Sequence, residues 1–407
     1  MRFAGPAWRF TATRLLGAGL LAALVGGCSG PILAQAPATR APGPAPTSSP
    51  SAAIDPRPVR LPADDAAHDR LTEWWYYTGH LHDAGGAQYG FEFVVFRAER
   101  GGLPVSWAAH LAITDEARHV FRFAQRSEIG PQVDRTTNGS AGTTGHDSTG
   151  FDLRLLRATA GQDDSSPGVT SSPTMPWALR GGDGHDRLLA VTTPDEALTA
   201  GSPGGFGLDL TVSTSAPATL QDGDGWVDFG LAGGSYYYSR TRMVAGGALT
   251  VDGRTFHVTG TAWFDHQWGD FISVGGGGWD WFAINLSDGT DLTLSLVRAA
   301  DGSYPLVYGT MAVDERTRHL PADAFRVTPT GRWRSPRTGV DYPSGWLIEV
   351  PGEGLRIGLV PTVADQELDA RASTGVIYWE GSQTVTASRR GQALAGEAYV
   401  ELTGYGP

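Results

Sequence analysis

The chain has 407 residues and a net charge of -12, is only 18% charged, and is about one-fifth glycine and proline (Gly 56, Pro 26). That length accommodates two domains, and a glycine-rich, aromatic-rich, charge-poor composition with thirteen tryptophans argues for an all-β body and against disorder. No basic stripe exists to neutralise phosphates, which excludes nucleic acid as a partner.

Arg2, Arg9 and Arg14 precede an apolar run, Leu15 to Val25, which is too short to span a bilayer as a mature helix. It ends at Cys28, the only cysteine, which cannot form an internal disulfide. Its position after small residues resembles the lipobox of bacterial lipoproteins; the alternative is an ordinary signal peptide with a chance cysteine. The resemblance implies a signal peptide over 1–27 and a lipidated Cys28 that anchors the protein to a membrane without a spanning helix. Ser29 fits the sorting pattern for the outer membrane, on its periplasmic side. Residues 28–60 read as a Pro/Ala/Ser tether.

The body opens with Glu73-Trp74-Trp75-Tyr76-Tyr77-Thr78-Gly79-His80-Leu81-His82, a predicted strand. A turn at Asp83 to Gly86 leads into a partner strand, Tyr89 to Arg97, and Trp107 to Thr114 is a third. His80 and His82 share a face, but no further ligand accompanies them, so no metal site and no cofactor are expected. Glu73, flanked by rings, is read either as a functional carboxylate or as the partner of an arginine such as Arg97 or Arg242. Residues 125–219 read as short strands joined by long polar loops, including a glycosylation sequon at Asn138. Further strands are predicted at Tyr236 to Met243 and about an Asp252-Gly253 hairpin.

Gly260 to Trp281 gathers four tryptophans, a histidine and three aspartates about a glycine run. Apolar rings beside titratable groups suit a ligand pocket; the plain alternative is an aromatic strand with a hydrogen-bonded core histidine. If Thr261 to Trp268 is extended, His266 and Trp268 share one face and Asp265 the other, so the adjacent Asp-His pair is not itself a dyad. Asp288-Gly289 and Asp301-Gly302 then punctuate a second meander beginning near Gly275.

Six blocks together resemble the AttH-type lipocalin-like family, which includes bacterial carotenoid 1,2-hydratases and proteins labelled predicted secreted hydrolases. They are Glu73-Trp-Trp-Tyr-Tyr-Thr-Gly-His, Tyr237-Tyr-Ser-Arg-Thr-Arg, Gly260-Thr-Ala-Trp-Phe-Asp-His-Gln-Trp-Gly, Gly278-Trp-Asp-Trp-Phe, Tyr378-Trp-Glu-Gly and Tyr399-Val-Glu-Leu-Thr-Gly-Tyr. The resemblance implies two consecutive lipocalin-like antiparallel β-barrels, over 61–273 and 274–407.

It also implies an apolar, isoprenoid or lipid-like partner and hydration of a terminal carbon-carbon double bond. That chemistry needs an acid able to protonate an alkene and rings to steady the cation. His266, Asp265, Asp280 and Glu73 are the candidate catalytic groups. Trp75, Tyr77, Tyr237, Trp263, Trp268, Trp279, Trp281 and Tyr378 are the candidate ligand-binding rings. A non-catalytic carrier and a secreted hydrolase are the competing readings, the latter without a Gly-x-Ser-x-Gly elbow. A carboxylate touching His266 inside an apolar cavity would favour catalysis, and His266→Ala is then expected to remove function while leaving the fold intact.

Overall fold

The computed structural model describes residues 55–136, 150–156, 175–271, 276–313 and 316–406. Cys28, the sequon at Asn138 and most of the tether lie outside them.

The first sheet comprises β1 (Thr72–Asp83), β2 (Gln88–Ala98), β3 (Ser106–Asp115), β4 (Val120–Ile129), β5 (Phe151–Leu155), β6 (Trp177–Gly182), β7 (His185–Val191), β8 (Gly207–Ser213), β9 (Thr219–Leu220), β10 (Trp226–Asp228), β11 (Gly234–Val251) and β12 (Arg254–Gly269). Its order is β4-β3-β2-β1-β12-β11-β8-β7-β6-β5, antiparallel throughout, with β9 and β10 pairing β11. The edges β4 and β5 meet around fully buried Arg126. Its guanidinium donates to the Leu155 carbonyl across the seam (3.3 Å) and to Glu196 (2.7 and 3.0 Å). Glu196 belongs to a helix, α1 (Pro194–Thr199), in the region read as strands and loops. Thr193 caps that helix and Glu196 returns the bond, a capping box with proline at the first turn.

The long β11–β12 hairpin turns at Asp252-Gly253, both with positive φ (50° and 75°), the conformation for which Asp-Gly is chosen. Alternation along β1 sends Trp75, Tyr77 and Leu81 into the first barrel's core and leaves Trp74, Tyr76 and Thr78 on its outer face.

The second sheet comprises β13 (Gly276–Leu286), β14 (Thr290–Ala299), β15 (Leu306–Val313), β16 (Arg316–Pro321) and β17 (Arg326–Pro329), then β20 (Trp346–Val350), β21 (Leu355–Pro361), β22 (Glu367–Ala370), β23 (Val376–Arg389), β24 (Gln392–Leu394) and β25 (Gly396–Thr403). Between them β18 (Arg332–Arg334) and β19 (Asp341–Pro343) form a separate small ribbon. The main order is β16-β15-β14-β13-β25-β23-β21-β20-β17, and its two edges are consecutive in the chain. Phe282, Ile284, Leu292, Trp346 and Trp379 fill this second core. The molecule is thus two lipocalin-like barrels.

The barrels dock outer face to outer face. Tyr76, Val94 and Trp263 of the first pack on Trp281, Ala283 and Tyr399 of the second. Polar bonds fix the register: Thr114 to Gln366 (2.8 Å), Gln221 to Thr293 (3.0 Å) and Thr241 to Asp291 (2.5 Å). Asp55 to Arg60, the end of the expected tether, lies against the first barrel: the Arg57 amide donates to the Tyr236 hydroxyl (2.9 Å), and Val59 packs on the core.

Candidate functional site

The sequence-predicted residues fall into two places, because β1 and β12 each present alternate side chains to opposite faces. Inside the first barrel, β1 and β12 bring Glu73 opposite Trp268 and Trp75 opposite His266. Glu73 is fully buried; its Oε1 accepts from His68 Nδ1 (2.8 Å) and His266 Nε2 (2.9 Å), and its Oε2 from the His68 amide (2.9 Å). Burial pushes the Glu73 carboxyl up, but the His68 charge and the hydrogen bonds from both imidazoles prevail and hold it down at about 2. Burial works against a charge on His68, yet Glu73 and Asp64 raise it on balance, whereas burial wins at His266 and lowers it. His68 stacks on Trp268 (4.2 Å, 1°) and His266 on Trp75 (4.8 Å).

Among the described residues, His68, Glu73 and His266 form a grouping whose ligating atoms lie within 4.8 Å of one another. Direct hydrogen bonds account for that arrangement. The expected arginine partners of Glu73 are engaged elsewhere: Arg97 with Asp69, Glu99 and the Arg70 carbonyl, and Arg242 with Asp291 and the Leu286 carbonyl. Glu73, His266, Trp75, Tyr77 and Trp268 therefore build a packed interior.

The cavity is elsewhere. About 570 Å³ lies between the barrels, lined from the first by Trp74, Tyr76, Glu92, Phe96, Tyr237 and Asp265 and from the second by Trp279, Trp281, Tyr308, Tyr378, Glu380 and Glu401. Of the predicted residues, Asp265, Tyr237, Trp279, Trp281 and Tyr378 are here. Trp263 packs beside them and donates to Asp265 (2.7 Å). Asp280 points the other way on β13, bonded to Arg298 (3.1 Å) and Tyr405 (2.9 Å); burial raises it to about 6 against those partners. His80 lies against the Tyr399 ring and His82 meets the Thr259 hydroxyl (3.1 Å).

Four carboxyl groups line this mostly aromatic space. Asp265 accepts from Tyr237 (2.5 Å), Ser239 and Trp263, yet burial outweighs these donors and raises it to about 7. Tyr237 in turn accepts from Trp281 Nε1 (3.0 Å). Glu380 on β23 and Glu401 on β25 are directly opposed across the ladder, an arrangement that costs stability if both are charged. Burial lifts Glu401 to about 7 despite the Trp279 Nε1 bond (2.9 Å). Glu92 and Glu380 are both driven upward, first by burial and then by neighbouring carboxyls. One oxygen of Glu92 meets the Tyr378 hydroxyl (2.8 Å) and one of Glu380 meets Tyr76, and the two carboxyls are within hydrogen-bonding reach of each other, a contact that needs a proton on one of them. Near neutral pH Glu92 and Glu380 hold protons, and Asp265 and Glu401 stand between their two forms, all facing an apolar space.

Glu92, Glu380, Glu401 and Tyr76 were not singled out from the sequence. The signal existed: Phe91-Glu92-Phe93, Trp379-Glu380-Gly381 and Val400-Glu401-Leu402 each put a carboxylate mid-strand among apolar residues, the pattern that drew attention to Glu73.

The AttH-like family model matches residues 52–405. The crystal structure of the AttH protein NE1406 from Nitrosomonas europaea superposes with a TM-score of 0.67 at 29% identity, covering 86% of this chain and 98% of that one. Kievitone hydratase from Nectria haematococca superposes at 0.59 with 16% identity, covering 86% of this chain and 94% of its own, a likeness of fold alone. No curated protein sequence matches the chain.

Proposed function

Because this chain belongs to the AttH-like family, we propose that it is a hydratase-type acid catalyst acting on an apolar, isoprenoid or lipid-like molecule held between its two barrels. The observation that carries this reading is the set of buried, proton-holding carboxyl groups in an aromatic cavity of about 570 Å³, a size typical of small-molecule sites. A neutral carboxylic acid in an apolar pocket can donate a proton.

Asp265 is the acid. Poised at about 7, it can both give and regain a proton near neutral pH. Its proton adds to the terminal carbon of the double bond, and the π electrons form the new C–H bond. The positive charge left on the neighbouring carbon sits among Trp281, Trp279 and Tyr308, whose ring faces attract a cation. A water oxygen then bonds to that carbon and loses its extra proton to the Asp265 carboxylate, so substrate plus water gives the alcohol. Glu92 and Glu380 supply a second proton-bearing edge to the same space.

The N-terminal reading completes the proposal: lipidation of Cys28 would hold the barrels at the periplasmic face of the outer membrane, close to apolar substrates. Loss of membrane association in Cys28→Ala tests that part alone.

The test of the activity is incubation with a terminal-alkene isoprenoid in ¹⁸O-labelled water, followed by mass spectrometry of extracted ligand. Wild type is expected to yield the labelled tertiary alcohol, and Asp265→Asn to bind the alkene and return it unchanged. Ligand retained but unaltered by both proteins would favour a carrier and sink the enzyme reading.

A further inference from the structure

The acids of the cavity must regain protons, and the Glu92 side of the site is connected to a chain of hydrogen-bonding groups that leads away from it. Tyr378, on β23 of the second barrel, meets Glu92 Oε1 at 2.8 Å and His110 Nδ1 at 2.6 Å. His110, fully buried on β3 of the first barrel, meets the Ser373 hydroxyl through Nε2 at 3.0 Å. Ser373, itself buried, also meets Gln125 Oε1 (2.6 Å) and the Ala370 carbonyl (3.3 Å), and directly follows exposed Arg371 and Ala372 on the turn before β23. Phe96, Phe123 and the Tyr378 ring surround the imidazole, so both its polar atoms are used along this one line.

We infer that Ser373, His110 and Tyr378 form a proton relay that recharges the Glu92–Glu380 acid pair from the outer edge of the barrel interface. The inference rests on reading the cavity carboxyls as acids.

When Glu92 has lost its proton, Tyr378 donates to the carboxylate, His110 Nδ1–H to Tyr378, and Ser373, its hydroxyl turned away from Gln125, to His110 Nε2. Each hydrogen then moves one place. The Tyr378 proton passes to Glu92, the His110 Nδ1 proton to the Tyr378 oxygen, the Ser373 proton to His110 Nε2, and a solvent proton to Ser373. One proton enters and one reaches Glu92, while the imidazole only exchanges tautomers and never carries charge. Burial lowers His110 to about 3, which keeps it neutral as this shuttle requires. His110 and Tyr378 line the cavity but Ser373 does not, so its hydroxyl is not placed as a nucleophile toward a ligand held there. Positions on both barrels contribute, so the relay exists only while the barrels are docked.

The experiment follows proton uptake by the ligand-free protein after a light-triggered drop in pH, through the carboxylic C=O stretch in time-resolved infrared. Glu92→Gln and Asp265→Asn assign the two bands. Tyr378→Phe and Ser373→Ala are expected to slow the Glu92 band by about tenfold or more while leaving the Asp265 band at its wild-type rate. Ser373→Ala removes only a hydroxyl, so it keeps the test open if Tyr378→Phe does not fold. A Glu92 band rising at the wild-type rate in both variants would overturn the relay. No substrate is involved, so a failed hydration assay leaves this result readable, and a failed relay leaves Asp265 as the acid.

Discussion

Asp265 and His266 are neighbours in sequence and belong to two different chemistries. His266 faces the first barrel's interior, where Glu73 is charged and held by two imidazoles and where Trp75 and Trp268 pack on the His266 ring. Asp265 faces the inter-barrel cavity, where four carboxyls have rings and one another for company and, among the described residues, no cation within bonding distance. The same residue types, histidine, carboxylate and tryptophan, thus give a charged structural clasp on one face of β12 and a store of neutral acids on the other. What decides is whether a cation has been built in beside the carboxylate, since burial acts on both.

Substitutions should separate the two regions. Asp265→Asn is expected to lower turnover by about 10²- to 10⁴-fold, the usual worth of a general acid, with the fold retained. Glu73→Gln should do the reverse: it removes one of the two carboxylates that face His68, leaving Asp64 (3.5 Å), and takes the charge from the acceptor of His266, costing about 1–3 kcal/mol in chemical denaturation, with ligand affinity retained. His266→Ala belongs with Glu73→Gln. Its place in the packed core predicts a loss of stability instead of the selective loss of function that its motif suggested.

The pH dependence splits along the same line. Asp265 and Glu401 rise from ordinary values of 3.8 and 4.5 to about 7, so the stability they lend is whole below those ordinary values and is lost as pH climbs through about 7. Glu73 falls from 4.5 to about 2, so its contribution is whole above 4.5 and is lost as pH drops through about 2. Thermal melts of Asp265→Asn should therefore lose part of the decline between about pH 4 and 7, and those of Glu73→Gln part of the decline between about pH 4.5 and 2. The smallest effect expected is that of Trp281→Leu, which removes about 0.5–2 kcal/mol of cation stabilisation and slows turnover by roughly two- to thirtyfold. An undiminished rate would mean that the cation forms elsewhere in the cavity.

Much of this was legible in the chain. Period-two alternation and the Asp252-Gly253, Asp288-Gly289 and Asp301-Gly302 turns located most strands, and alternation alone separated Asp265 from His266. The short α1 was missed although Thr193-Pro194-Asp195-Glu196 spells its cap. The site was harder to read because it is assembled from outer faces. Glu92 and Glu380 lie almost 300 positions apart and meet only when one barrel docks on the other. Glu73 stood out because its aromatic block is conspicuous, yet the cation that answers it, His68, sits just before the block in a polar run.

The most direct test is a carboxyl ¹³C NMR titration of the ligand-free protein, with Glu73, Asp265 and Glu401 assigned from their amide variants. Asp265 and Glu401 should titrate together near pH 7 while Glu73 stays charged down to about pH 2. All three titrating in the ordinary carboxylate range near pH 4 would contradict the account, because the cavity would then hold no acid to give.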